Sequence, residues 1–302
     1  MFSIGESISF ADVAAKCEVD EESMCRILRH AITNHLFSEP REGYIAHTAI
    51  SKALVEVPML HEWVTVACDE MCPPTSKLVD ALIKWPGSTE PNETAFNLAT
   101  GSQESFFQDL SHSPERAENF SKAMALFKLM PGFEPGLITE AALWQSVTGT
   151  VVDVGGADGA VAQELAEKFP SMKIIIQDLP NVIENALELK TADLSPQITF
   201  QAHDFFTEQP IHGADVYLFR MIFHDWSDKL CTRILQQLIP ALKPGAKLLI
   251  NDFCIPEHGT TSLYQERLAR YLSPISHCQP QLKFPKVPRS IHESHVQWQR
   301  AY

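Results

Sequence analysis

The sequence predicts an α/β protein, with a doubly wound parallel sheet preceded by a mainly helical region of winged-helix order. Three observations carry this expectation. From Val151 onward, strand-like and helix-like segments alternate five times. The strand segments are apolar runs rather than alternations, as parallel strands covered on both faces require. Residues 1–108 instead show apolar positions at helical spacing and close their first part with a short ribbon.

The first region justifies itself element by element. Phe10 to Cys17 and Glu21 to Phe37 place apolar residues three and four apart, among them Met24, Ile27, Leu28, Ile32 and Leu36. Asp20 stands where an N-cap is needed for the second helix. "LFSEPREGYIAHT" then reads as a β-ribbon turning at Pro40 to Gly43. Helix, turn, helix and ribbon is the winged-helix order, which raises DNA binding. The candidate recognition helix is led by Asp20, Glu21 and Glu22, whose carboxylates would face phosphates. A packing or dimerisation role is the better reading.

In the second region the strands are "TVVDVG", "KIIIQD", "ITFQAHD", "ADVYLFR" and "AKLLINDF", with helices "AVAQELAEKF", "NVIENALELK" and "DKLCTRILQQLIPAL" between them. Alternation of this kind argues for a doubly wound sheet. "LKPG" ends the last full helix, with Gly245 as its C-cap candidate. After "LYQERLARYL" the prolines at 274, 280, 285 and 288 leave no sustained period, so residues 273–302 read as an irregular tail.

Bulk properties bound the function. The chain has 302 residues, 45% of them hydrophobic, enough for one large or two moderate cores. A net charge of −14 repels nucleic acid and anionic membrane surfaces, so neither is an expected partner. The seven cysteines form no C-x-x-C pair, and Cys68 with Cys72 lacks a second pair at zinc spacing, so no metal site is expected. No basic and apolar leader is evident at the start, and no apolar run reaches the roughly 18 residues that span a bilayer. The expected location is the cytoplasm, with reduced thiols.

The glycine turn "VVDVGGADG" is where a ligand is expected, because open α/β sheets bind beyond the carboxyl ends of their strands. Gly155 and Gly156 let backbone approach a ligand without a Cβ between them. The next helix aims its N-terminus at the same point. Asp178 ends the second strand, where a carboxylate suits the two hydroxyls of a ribose. Asp204 can accept from an adenine amino group, and Phe205 offers a stacking face. The ligand is then a ribonucleoside. The G-G-x-x-G spacing departs from the G-x-G-x-x-G of NAD sites and favours S-adenosylmethionine, whose sulfonium tolerates an acidic site.

The fourth strand ends in "FRMIFHDWSD", placing Arg220 and His224 at the same crevice. Ser227 or Asp225 can cap the following helix. A phenol, with a pKa near 10, is a poor nucleophile at pH 7. A neutral imidazole can take its proton as attack on a sulfonium methyl begins.

Taken together, "VVDVGGADG", "QDLP", "HDFF", "FRMIFHDWSD", "LKPGAKLLINDFCIPE" and "YQERL" resemble the plant and fungal O-methyltransferase family that includes caffeic acid O-methyltransferase, over about residues 10–272. The resemblance implies a class I methyltransferase, Rossmann-like sheet behind a winged-helix-like dimerisation domain. It implies S-adenosylmethionine contacts at Gly155, Gly156, Asp178, Asp204, Phe205 and Arg220, with His224 as general base. It implies a small aromatic substrate, and a homodimer. Asp252 matches the carboxylate that orients the base, where plant members carry Glu. Its competing role is a solvated or capping carboxylate. "FSKAMALFKLMPG", with Met124 and Met130, resembles a pocket-lining segment, although Met at helical spacing also suits a core.

The expected division is residues 1–108, 109–272 and the tail 273–302. Both ends depart from the family. The helices that precede the winged domain in the family are expected to be short or missing here. The tail stands in place of a further helical segment, a second acidic partner and two closing strands, either as an altered end or as a specialisation. "LKFPKV" is a poor central strand, so "KLLIND" is expected to keep an open apolar edge. The competing functional readings are a catalytically impaired relative that binds cofactor or a partner, a winged-helix transcription factor, and a nicotinamide oxidoreductase.

Overall fold

The computed structural model describes residues 2–129, 133–189, 195–252 and 296–298. Strand β1 (Ser7–Ser9), helices α1 (Phe10–Lys16) and α2 (Glu21–Thr33), and strands β2 (Phe37–Arg41) and β3 (Tyr44–His47) form the first unit. Its antiparallel sheet has the order β1-β3-β2. Phe10, Val13, Ala14, Met24, Leu28 and Ile45 fill the space beneath it. The Asp20 carboxylate accepts from the Ser23 amide at 2.8 Å and so starts α2.

Two expectations are corrected here. Helix α2 stops at Thr33, short of Phe37. His35 takes a φ of 59° and the Leu36 amide reaches back to the Ala31 carbonyl at 3.0 Å, a left-handed helix stop. Pro40 lies within β2 rather than in the turn. The register shifts between Ser38 and Arg41, and this irregularity accommodates a residue without an N–H.

Helices α3 (Ala49–Glu56), α4 (Leu60–Val66), α5 (Cys72–Lys84), α6 (Ala95–Thr100), α7 (Phe106–Ser111) and α8 (Pro114–Leu126) follow, with a π-turn at Ala67–Met71. Arg116 on α8 is gripped by Glu70 of that π-turn at 2.7 and 2.9 Å and by Asp109 at 3.0 Å. Met124 sits on α8. Met130 lies outside the described residues, as do Cys254, Cys278, "YQERL" and "LKFPKV".

The second unit contains helix α9 (Pro135–Thr139), strand β4 (Thr150–Val154), helix α10 (Ala160–Lys168), strand β5 (Lys173–Asp178), helix α11 (Pro180–Leu189), strands β6 (Ile198–Ala202) and β7 (Val216–Arg220), helix α12 (Asp228–Leu238), and strands β8 (Lys247–Asn251) and β9 (Val296–Trp298). The sheet order is β6-β5-β4-β7-β8-β9, with every pairing parallel. The chain runs outward from β4 to β6, then returns to β7 on the other side of β4. The switch point therefore lies between β4 and β7, and the crevice at their carboxyl ends is where a ligand fits.

Successive strand residues face opposite sides, and both sides are covered, which is why the strands are apolar runs. Val152, Val154, Tyr217, Phe219, Leu248 and Ile250 pack on Cys231, Ile234, Leu235 and Leu238 of α12. Val151, Ile174, Ile176, Val216 and Leu218 pack on α10 and on Trp144. Trp144 is fully buried, and its indole N–H donates to the Ile138 carbonyl at 2.7 Å. Trp144→Ala is expected to cost about 3–5 kcal/mol, measured as a fall in the urea midpoint at unchanged slope.

Two further corrections concern the end of the sheet. Helix α12 stops at Leu238, and a 3₁₀ turn covers Ile239–Ala241, because Pro240 has no N–H to continue the ladder. Gly245, at a φ of 83°, therefore serves the turn into β8 and is not the cap of α12. The β8 edge is also not open. Leu248, Leu249 and Ile250 pair with Val296, Gln297 and Trp298, which satisfies backbone groups that an edge strand leaves exposed. Among the described residues, no helix is long and apolar enough to cross a membrane.

Candidate active site

The glycine turn follows β4. The Gln177 carbonyl at the end of β5 accepts from the amides of Gly155 at 2.7 Å and Gly156 at 3.1 Å. Gly155 has a φ of 73°, and a Cβ there would stand 2.4 Å from Ile222 Cδ1. A Cβ on Gly156 would stand 2.8 Å from the Asp153 carboxylate and 2.9 Å from Ile176. The protein's own side chains thus already exclude a Cβ at both positions. The sequence expectation assigned that exclusion to a ligand alone, and packing is its first cause.

Three carboxylates gather around this turn. Asp178 Oδ2 accepts from the Ala157 amide at 2.9 Å and Oδ1 from the Leu179 amide at 2.8 Å. Burial raises its pKa against those two bonds. Asp153, 4% exposed, was not singled out from the sequence. Burial pushes its carboxyl up to about 7, with Arg220 opposing and the Asp178 and Asp158 charges adding to the rise. Among the described residues no hydrogen bond reaches the Asp153 side chain, and Arg220 is the cation that acts on it. A charged residue inside the run "TVVDV" was the signal for it. Such a set fits a cationic ligand.

Beyond β6, Asp204 is exposed, and its Oδ1 accepts from the Phe206 amide at 2.9 Å. Phe205 lies 4.0 Å from the position of a Gly155 Cβ, so the expected stacking face does border the glycine turn. Its ring meets Phe206 and Trp226 edge-on, with centroids 5.1 and 5.9 Å away. Trp226 also approaches Phe107 at 6.0 Å. This aromatic wall was missed in the sequence because its members lie far apart along the chain.

Arg220 ends β7, but its guanidinium bonds within the protein. Nε donates to Asn251 Oδ1 at 3.1 Å and Nη2 to the Phe133 carbonyl at 2.6 Å. After it, Met221 takes a φ of 57°, folding the chain into a 3₁₀ turn at Phe223–Asp225. That turn presents His224. Its Nδ1 lies 2.8 Å from Asp252 Oδ1. Asp252 Oδ2 accepts from the amides of Ile222 at 3.1 Å, Phe223 at 2.7 Å and His224 at 3.3 Å. One carboxylate therefore fixes both the ring and the backbone beneath it. His224 is pushed up to about 9: burial alone would lower it, but the Asp225 and Asp252 charges and the Asp252 hydrogen bond outweigh burial. Ser227 precedes α12, yet its hydroxyl donates to the Thr89 carbonyl at 3.0 Å rather than capping the helix. Among the described residues, no group of three or more His, Cys, Asp or Glu could hold a metal ion.

The structure thus places Gly155, Gly156, Asp178, Asp204, Phe205, Arg220, His224 and Asp252 at or just beyond the carboxyl ends of the parallel strands, with Asp204 exposed. A model of the O-methyltransferase domain matches residues 80–275. O-methyltransferase kk1A of Curvularia clavata is 39% identical over 266 residues, covering 88% of this chain and 62% of that protein. Chlorophenol O-methyltransferase of Trichoderma longibrachiatum is 38% identical over 275 residues, covering 89% of this chain and 59% of that protein. This chain spans about three-fifths of the length of the curated relatives it matches. The solved structure of OxaC in complex with SAH and oxaline superposes with a TM-score of 0.75 at 26% identity, covering 94% of this chain and 73% of that one.

Proposed function

The chain belongs to the O-methyltransferase domain family, and on that premise we propose that it methylates a phenolic hydroxyl of a small aromatic secondary metabolite. The observation that carries this reading is the imidazole of His224, held by Asp252 at 2.8 Å, on a turn whose Ile222 touches the glycine turn. Base and cofactor cradle are therefore neighbours. The relative named for chlorophenol supports a phenolic substrate, and SAH in the OxaC complex supports the cofactor.

When bound, S-adenosylmethionine supplies a methyl group on a sulfonium, which needs only an in-line nucleophile. The roles of the residues follow. Gly155 and Gly156 form the cradle wall, Asp178 accepts from ribose hydroxyls, and Asp204 accepts from the adenine amino group. Phe205 is the stacking face. Arg220 braces the crevice between Asn251 and Phe133 while its charge faces Asp153. His224 takes the phenol proton through Nε2, since Nδ1 is committed to Asp252. Asp252 fixes that tautomer and stabilises the imidazolium that forms. Residues 1–108 serve packing and dimerisation, and 109–272 serve cofactor and substrate. The exposed Val79, Leu82 and Ile83 of α5 support a second copy as partner.

The test is a calorimetric titration of the chain with S-adenosylmethionine. One-site binding is expected, weakened by about tenfold or more in Asp178→Ala as a charge-assisted hydrogen bond is lost. Equal affinity in that variant would remove the cradle from this turn.

A further inference from the structure

We propose that Asp225 is a positioning residue for His224, closing the ring between two carboxylates and covering the nitrogen that must take the substrate proton. Asp252 occupies Nδ1 at 2.8 Å, and Asp225 Oδ1 lies 3.4 Å from Nε2. The arrangement is built into the turn. The Asp225 amide bonds to the Ile222 carbonyl at 3.2 Å, and the Trp226 ring is pinned by Phe205, Phe206 and Phe107. The Cys231 thiol of α12 donates to the carbonyls of Phe223 and Trp226, on either side of the His-Asp pair, at 3.5 and 3.3 Å. Asp225 therefore cannot drift away from the ring by backbone motion alone.

Among the described residues, the charged and titratable groups packed around this turn include Asp225 itself, Asp252 beyond β8, Arg220 at the end of β7, and Asp228 and Cys231 on α12. Arg220 is engaged by Asn251 and Phe133, and burial pushes the Cys231 thiol up to about 12, so it remains a thiol. Among these groups the two carboxylates raise the ring most, and its rise to about 9 agrees with this. Both carboxylates thus favour the protonated ring. It becomes an acceptor when Asp225 turns aside or when pH rises. Asp225 thus sets the pH at which the base becomes available. This consequence for rate rests on the reading of His224 as the base, whereas the clamp itself does not.

The test is an NMR titration of the full chain carrying ¹³C,¹⁵N-histidine, without ligand, with the His224 signal assigned by its loss in His224→Gln. Asp225→Asn is expected to lower the His224 midpoint by about one pH unit or more, and Asp225→Glu to restore it. An unchanged far-ultraviolet circular-dichroism spectrum would verify the fold. The acid limb of kcat/KM should move with the NMR midpoint. Asp225→Asn titrating at the wild-type pH would overturn the proposal, even if His224→Ala abolished turnover. A shifted midpoint in a chain with no methyl transfer would uphold the clamp and sink the functional reading.

Discussion

His224→Ala is expected to slow methyl transfer by about 10²–10⁴-fold while leaving S-adenosylmethionine affinity within about twofold. The asymmetry follows from the geometry. His224 stands on a turn beyond β7, and its bonds run to Asp252 rather than to the glycine turn. Removing the ring takes away the proton acceptor but leaves Asp178 and the backbone of the cradle in place. Parallel measurements of single-turnover rate and calorimetric affinity check this. A variant that lost both equally would make His224 a cofactor ligand, and a variant that lost neither would remove it from the chemistry.

Asp252 separates orientation from architecture. Asp252→Asn keeps an oxygen for the amides of Ile222, Phe223 and His224, but its amide nitrogen can present N–H to His224 Nδ1. The ring then takes the tautomer with a proton on Nε2, which cannot accept one. A rate loss on the order of 10²-fold or more is expected while the three amides keep an acceptor. Asp252→Ala also orphans three buried or half-buried amides, at about 1–3 kcal/mol for a fully buried one, so a lower urea midpoint is expected as well. The pH dependence carries its own sign. The folded value of His224, about 9, lies above its ordinary 6.5, so the stabilisation from the two carboxylates is complete below about 6.5 and is lost as pH rises through 9. In Asp252→Asn the part of that loss due to Asp252 should disappear from the stability profile.

The sheet was legible in the sequence because buried parallel strands leave apolar runs of the right length, and all five expected strands are present. The Asp20 cap was legible because capping is a local device. The end of α2 was not. Periodicity continues through Leu36, whereas the helix stop depends on the left-handed backbone of His35. Asp252 was placed correctly as a partner of His224, although its side chain is shorter than Glu. Its reach is set by the Met221 backbone, which folds the turn toward β8, where the Met221 amide meets the Asn251 carbonyl at 2.9 Å. No local pattern encodes that contact.

Other site residues escaped for similar reasons. Asp153 resembles any strand-end acid until its burial is known. Asp225 was read as a helix cap, and it lies against the ring beside it in sequence. The glycines were read as space for a ligand, whereas Ile222 and Ile176 fill the space over them. Those contacts come from strands and turns well removed along the chain, and only the sheet order brings them together.

The most direct measurement is transfer of a labelled methyl group from S-adenosylmethionine by the wild-type chain, with a panel of chlorinated and polyhydroxylated phenols. Label is expected on a phenolic oxygen, at a rate that climbs with pH as His224 loses its proton. Tight cofactor binding with no label on any phenol, under conditions where the chain is folded, would contradict this expectation.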